Sequence, residues 1–497
     1  MNNDSLYNNI MIKIIKTILI LLLLLPVISI AQVIDLKSAI EISLDRNDKI
    51  RQYTEKLNQK EKEDKSSIGN FLPNINLTAS YNHLNDDMNI DLDPIRQAII
   101  KIQSGNQVEF SNIYNIMQTG VPLTSQQRAA LLNSYTNGLN NQLPLFVEQF
   151  KKQDNWYTTL TGVQPIFYGG KLIAAKKYSN LEKEFAEIEL EKVKKETINE
   201  VINNYLNVIL VSDVIQTRKD VLAGMYKHRD DAKRLYEGGV IAKNQYLRSE
   251  VAVADADRDL FDEQNKLDLA IIALKNTIGL KENEQVLIND TLVFKQIYDS
   301  VLVFKEKAYT DQPLIKMLKI KKDETEQKYN IDRSEFLPKI AFYGKYEIID
   351  SYLSQLEPKW AIGIQGSLNI FNGFKSYLQL QTTKHMSKEV DYLEADTKSK
   401  ISLWVDKAYK DMLNSKNKYF KLENNIALAD ENLRLTSGRF QTGLGTSLDV
   451  IDAELTLEKN QIDRKISIYE YYKSLNDLYL ASGNPKEFLL IWNNKEK

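Results

Sequence analysis

Apolar residues recur along most of this chain at helical spacing, and in four short stretches they switch to alternation. From Leu36 to Gly69 one broad face carries Ile40, Leu44, Ile50 and Leu57 with charges elsewhere, which predicts a helix. Phe71-Leu72-Pro73 stops it. Ile75, Leu77, Ala79 and Tyr81 then alternate with Asn74, Asn76, Thr78 and Ser80, a period of two that belongs to a strand over about residues 74–83. Phe336-Leu337-Pro338 repeats the stop, and Ile340, Phe342, Gly344 and Tyr346 share one parity in a strand over about 339–349. Two further strands are expected over about 155–167, opening with Trp156, and over about 359–371, where Trp360, Ile362, Ile364 and Leu368 point one way.

From Gly170 to about Tyr236, Ile198, Val201, Ile202, Tyr205, Val208 and Ile209 form one stripe, with Lys and Glu opposite. At 1.5 Å per residue this helix of roughly 65 residues would reach about 100 Å. The return helix, Asn244 to Ile278, is about half as long, and a second half-length helix is expected over Val301–Glu335. Narrow stripes on helices this long imply lateral packing into a cylinder or a coiled-coil bundle.

The chain repeats itself. Tyr236 pairs with Phe440, Gly239 with Gly443, Leu247 with Ile451 and Glu250 with Glu454 at a constant shift of about 204 residues, which also places Trp156 on Trp360. For the Phe-Leu-Pro stops and the strands after them the shift is about 265, so the first copy carries an insertion of about 61 residues, placed within 84–153. That segment is rich in Asn and Gln, contains Pro94, Pro122 and Pro144, and is expected to be a long loop with some helical turns. The expected organisation is α+β but mostly α. It has a first repeat (32–280) with helical hairpin 170–278, a connector (281–300), a second repeat (301–484) with hairpin 374–481, and a C-terminal tail (485–497).

Only 10 prolines and 19 glycines in 497 residues fit long uninterrupted helices. A net charge of -2 gives no argument for nucleic acid. Lys13 and Lys16 precede an apolar run from Ile18 to Ile30, with small residues at Ser29 and Ala31, the pattern of a signal peptide over residues 1–31. Cysteine is absent, which removes disulfides, thiolate metal sites and a lipid-acceptor cysteine.

Each strand has about the length, roughly 9 to 11 residues, of a tilted transmembrane β-strand. Four strands cannot close a barrel, and open edges are not tolerated in hydrocarbon. If these strands span a membrane the chain must oligomerise, and a trimer would supply twelve. The soluble alternative is a small sheet capping a helical bundle.

Taken together, these features resemble the TolC family of outer-membrane efflux channels of diderm bacteria. The resemblance rests on the twofold repeat, the Phe-Leu-Pro stops at 71–73 and 336–338, the strand-to-helix passages 165–170 and 369–374, and the two turn motifs. It implies a homotrimer closing a twelve-stranded β-barrel in the outer membrane, continued by an α-helical barrel across the periplasm. The implied partners are a periplasmic adaptor protein and an inner-membrane pump, with no cofactor. The resemblance places adaptor contacts on Tyr236, Gly238, Gly239, Val240, Phe440, Gly443, Leu444, Gly445, Thr446 and Ser447, and a pair of constriction carboxylates on Asp449 and Asp452. Positions three apart share a helix face, so a trimer would present two stacked rings of carboxylates with a mild cation preference. A capping box over Thr446–Asp449 competes for Asp449. In the barrel reading Ile75, Leu77, Tyr81, Trp156, Ile340, Phe342, Trp360, Ile362 and Ile364 face lipid.

One departure concerns the gate. The family's best-known member closes its entrance with an arginine and a tyrosine bonded to an aspartate, and the matching positions here are Gly445, Phe440 and Gln245, which cannot form that set. A closed state is expected to rest on apolar packing around Phe440 and Leu444.

The leading function is a passive exit duct for efflux or type I secretion. Three isolated histidines, His83, His228 and His385, and no phosphate loop or nucleophile elbow argue against an enzyme. A periplasmic coiled-coil protein without a pore is the alternative.

Overall fold

The computed structural model describes residues 32–353 and 357–493, so the signal segment expected over residues 1–31 lies outside them. The strands are β1 (Gln32–Val33), β2 (Asn74–His83), β3 (Met88–Asp91), β4 (Val147–Lys151), β5 (Asp154–Tyr168), β6 (Val286–Leu287), β7 (Lys339–Ile349) and β8 (Trp360–Ser367). The helices are α1 (Leu36–Arg46), α2 (Asp48–Ser67), α3 (Asp93–Thr119), α4 (Ser125–Gln142), α5 (Lys171–Glu237), α6 (Lys243–Ile278), α7 (Val301–Asp311), α8 (Pro313–Arg333), α9 (Lys375–Gln441), α10 (Ser447–Ala481) and α11 (Phe488–Asn493). Two compact units result: Lys65–Lys176 with Asn330–Leu380, and the remainder of the chain.

The smaller unit is built on one antiparallel sheet in the order β2-β5-β7-β8. β8 ends at Ser367, short of the expected residue 371, because Ser367 pairs with Lys339, the first residue of β7. Pro338, which has no N–H to donate, precedes Lys339. The insertion is not a loop. It holds the antiparallel pair β3–β4 and a helical hairpin, α3 and α4, of 27 and 18 residues.

The prolines that suggest a loop instead punctuate these helices. Pro94 sits in the first turn of α3, where its missing N–H costs nothing, and Pro122 lies in the turn between the helices. Gly120, at φ 79°, ends α3, and a Thr124–Gln127 capping box starts α4. Arg96, 5 % exposed, donates to the carbonyls of Asn140 and Leu143 at the end of α4, both at 3.1 Å, and pairs with Asp93 at 2.9 Å.

The larger unit packs α1, α5, α6, α7, α9, α10 and α11 around one core in which Tyr205, Tyr471, Tyr472, Phe304 and Phe488 are fully buried. Tyrosine hydroxyls hold the connector against it. Tyr205 donates to Asp290 at 2.8 Å, Tyr472 donates to the Val293 carbonyl at 2.6 Å, and the Tyr471 hydroxyl accepts from the Ile297 N–H at 3.0 Å. The last segment is not a free tail: Phe488 and Trp492 of α11 are buried in this core, because an apolar Phe-Leu-Leu-Ile-Trp run has surface to lose there.

The helix expected over Leu36–Gly69 is broken at Asn47, and the one over Val301–Glu335 at Gln312. Both breaks do the same work in the two repeats. The Asn47 carboxamide oxygen accepts from the N–H of Lys49 and Ile50, capping α2, while its amide donates to the Thr277 carbonyl at 2.8 Å. Gln312 donates to the Leu480 and Ala481 carbonyls, both at 3.1 Å. Each bond satisfies carbonyls at the end of a return helix, which have no partner within the helix. Gly279 and Gly483, at φ 75° and 92°, follow those helices, and a Cβ on either would lie 2.7 Å from backbone atoms of Arg46 or Asp311.

Candidate functional site: an exposed apolar sheet face and paired helical tips

Directly opposed residues of neighbouring strands share a face of a sheet. Ile75 pairs with Gly162, Leu77 with Leu160 and Tyr81 with Trp156. Leu160 pairs with Tyr346, and Gln164 with Phe342. Ile340 pairs with Gly366, Phe342 with Ile364, Gly344 with Ile362 and Tyr346 with Trp360. All nine positions singled out for lipid therefore lie on one face. Eight are exposed, from 42 % at Phe342 to 69 % at Ile364, while Ile340 is half-buried. No charged residue stands among these paired positions. The opposite face carries Asn76, Thr78, Thr159, Thr161, Lys345 and Gln365.

At one end of the apolar face Tyr81 and Trp156 lie 5.1 Å apart, and Tyr346 pairs with Trp360. At the other end Phe167 is exposed. Aromatic residues at both limits of an apolar band mark membrane–water boundaries in a barrel wall. Among the described residues β2 and β8, the outer strands, each have one unpaired edge. Among the described residues no helix is long and apolar enough to cross a membrane.

In the larger unit the two turns close in the same way. Val240 N–H donates to the Leu235 carbonyl at 2.8 Å and Gly239 N–H to that of Tyr236; Leu444 N–H donates to the Arg439 carbonyl at 2.9 Å and Gly443 N–H to that of Phe440. This is the Schellman pattern, and it requires the left-handed backbone that Gly239 and Gly443 adopt at φ 71° and 77°. A Cβ at Gly443 would lie 2.9 Å from Val240, so the turns touch.

Side chains lock this contact. His228 Nε2 is 2.8 Å from Ser447 Oγ, Gln245 accepts from the Ser447 N–H at 3.1 Å, and Gln441 donates to Asp231 at 3.0 Å. Burial holds the His228 imidazole below its usual range.

Of the ten positions assigned to adaptor contact, Tyr236, Gly238, Gly239, Val240, Gly443, Leu444 and Thr446 are exposed and Gly445 is half-buried. Phe440 and Ser447 are 1 % and 0 % exposed and form no outer surface. Phe440 is enclosed by Ala232, Ile241 and Val450, with the His228 ring 4.7 Å away. The expected gate packing around Phe440 is thus already satisfied within one chain, and only Leu444, 74 % exposed, points outward. His228 stands isolated in the sequence, and only the return helix, by bringing Ser447 to it, makes it a tip residue.

Asp449 and Asp452 are both exposed. The capping box is formed: Asp449 accepts from the Thr446 N–H at 2.9 Å, and the Thr446 hydroxyl accepts from the Asp449 N–H at 3.2 Å. Those bonds to Thr446 hold the Asp449 carboxyl below the usual aspartate range.

The model of the family described as outer membrane efflux protein matches residues 39–280 and 306–484. The chain belongs to the outer membrane efflux protein family. This efflux protein shares its fold with solved structures at low identity. The outer membrane protein VceC of Vibrio cholerae is 16 % identical, with TM-score 0.68 over 90 % of this chain and 96 % of that one. The CmeC outer membrane channel of Campylobacter jejuni is 12 % identical, with TM-score 0.66 over 92 % and 89 %. The MtrE outer membrane channel of Neisseria gonorrhoeae, in its open state, is 15 % identical, with TM-score 0.65 over 90 % and 89 %. No curated protein matches in sequence. The efflux protein is an outer-membrane channel with a long periplasmic helical portion, and the reading as a pore-free coiled-coil protein is not favoured.

A half-buried carboxylate behind the tips makes stability depend on pH. A Cβ at Gly224 would lie 2.9 Å from Glu454, so a glycine in α5 makes room for that side chain. Burial raises the Glu454 carboxyl above its usual value of 4.5, and Glu458 and Asp430 add to the rise. A raised carboxyl disfavours the folded state at pH above its folded pKa, and the penalty fades as pH falls toward 4.5. Glu454→Gln should therefore raise the melting temperature at pH 7.5 and lose that advantage by pH 4.5 in thermal unfolding of the purified protein. An advantage independent of pH would refute the assignment.

Proposed function

We propose that three copies of this chain join edge to edge, β2 of one beside β8 of the next, to close a twelve-stranded wall and form a passive exit duct. The exposed apolar face with two open edges carries this reading. In lipid each unpaired N–H and C=O costs several kcal/mol, and only closure satisfies them. Ile75, Leu77, Tyr81, Trp156, Ile340, Phe342, Trp360, Ile362 and Ile364 then face lipid.

The exposed tip residues Tyr236, Gly238, Gly239, Val240, Gly443, Leu444, Gly445 and Thr446 dock on a periplasmic adaptor bound to an inner-membrane pump, while Phe440 and Ser447 brace them from behind. The pump supplies the driving force and the duct performs no chemistry of its own. Asp449 and Asp452 form two rings of three carboxylates at the entrance. Asp449 holds its capping role as well, since a carboxylate accepting one N–H keeps lone pairs for passing cations.

Asp449→Lys with Asp452→Lys should reverse a cation preference measured as reversal potential in planar bilayers under a salt gradient. Unchanged selectivity in a conducting mutant removes the rings from the pore lining.

A further inference from the structure

Helix α3 carries a second apolar row that its own hairpin does not use. Its buried row, with Ile100 and Val108, faces α4. The other row is Ile95, Ile99, Ile102, Ile113 and Ile116, each between 41 and 63 % exposed. Their spacing follows the a and d positions of a heptad, with Asn106 at an intervening a, while Glu109 at the one polar d turns to Arg128 of α4 at 3.2 Å. Isoleucine at both a and d favours three strands over two, and a single buried Asn at a sets register.

We infer that α3 of each copy packs in parallel against α3 of two other copies, forming a three-stranded coiled coil beyond the far end of the sheet. This rests on the trimeric channel reading, because the threefold axis of that assembly makes the three helices parallel and equivalent.

Two observations favour a second copy of this chain over a membrane surface. Helices that lie on a membrane are rich in Lys and Arg, whereas α3 has only Lys101 and Arg96, and Arg96 is buried against α4. The chain leaves β2, an edge strand, at the sheet end opposite the Phe-Leu-Pro stop and reaches α3 through the short strand β3, so the hairpin belongs to the end of the sheet where another copy joins. Such a bundle would obstruct the outer mouth of the duct.

The chain has no cysteine, so one introduced thiol reports a single position. Ile102→Cys and Ile113→Cys, each in the full chain, are purified in detergent, sized by native mass and then oxidised. Lys101→Cys, exposed on the far side of the same helix, is the comparison. The expected result is a trimer in which about two-thirds of the chains run as disulfide-linked dimers for Ile102→Cys and Ile113→Cys, since one of three equivalent thiols is left over, and almost none do for Lys101→Cys.

A trimer with no linkage from either isoleucine position, or with equal linkage from Lys101→Cys, overturns the coiled coil and leaves the channel reading standing. A particle that is not a trimer overturns both. Quenching of a dye on Ile102→Cys by brominated lipids in reconstituted vesicles puts the row in the bilayer and also overturns the proposal.

Discussion

Ile362→Arg should abolish assembly into the membrane. Ile362 is 64 % exposed on the apolar face, between Trp360 and Ile364 on β8. An arginine facing lipid near mid-depth costs about 2–4 kcal/mol per copy, and a closed wall of three copies carries that cost three times. The expected readout is loss of the detergent-resistant oligomer from outer-membrane fractions. Gln365→Arg, on the opposite face of the same strand, should assemble normally. If both substitutions are tolerated, or both fail alike, the apolar face does not meet lipid.

Arg218→Met should give the largest loss of stability in the helical unit. Glu458 is 4 % exposed and accepts from Arg218 at 2.5 Å, and Arg218 also reaches Asp259 at 3.2 Å. Burial pushes the Glu458 carboxyl up, and Arg218 offsets only part of that. Removing one partner of a buried pair leaves an uncompensated charge, at a cost of about 3–5 kcal/mol, whereas replacing both with apolar residues is often neutral. Arg218→Met should therefore lower the melting temperature by many degrees and Arg218→Met/Glu458→Met should recover most of it. A double mutant as unstable as the single one would show that the pair is not what matters there.

Much of the architecture was readable because its signals are local and repeated. Alternation at Ile75, Leu77 and Tyr81 and at Ile362 and Ile364 reports a face directly, and a constant shift between Gly239 and Gly443 reports a repeated turn whose φ only glycine adopts easily.

What the sequence hid depends on partners far along the chain. Asn47 and Gln312 break helices whose apolar periodicity runs on past them. Pro313 was a sign for Gln312, since a residue before proline avoids the helical region. In the insertion, Pro94 and Pro122 stand where prolines end or start helices, and counting them as breakers concealed α3 and α4. Phe440 occupies the place of Tyr236 in the repeat, yet one is buried and the other exposed, because His228, Ala232 and Val450 converge on Phe440 alone. For Asp449 the capping signal Thr446-Ser447-Leu448-Asp449 was legible, and that bond is formed.

Joining of β2 to β8 between copies is tested most directly by covalent linkage across that seam. Cysteine pairs are placed one on each strand, at Asn76, Thr78 or Ser80 of β2 and at Gly363 or Gln365 of β8, and are oxidised in the membrane. The seam account predicts that at one register the chains link into species of two and three copies and stop at three, because the ring is then closed. Ladders running past three, or no linkage at any register, would contradict it.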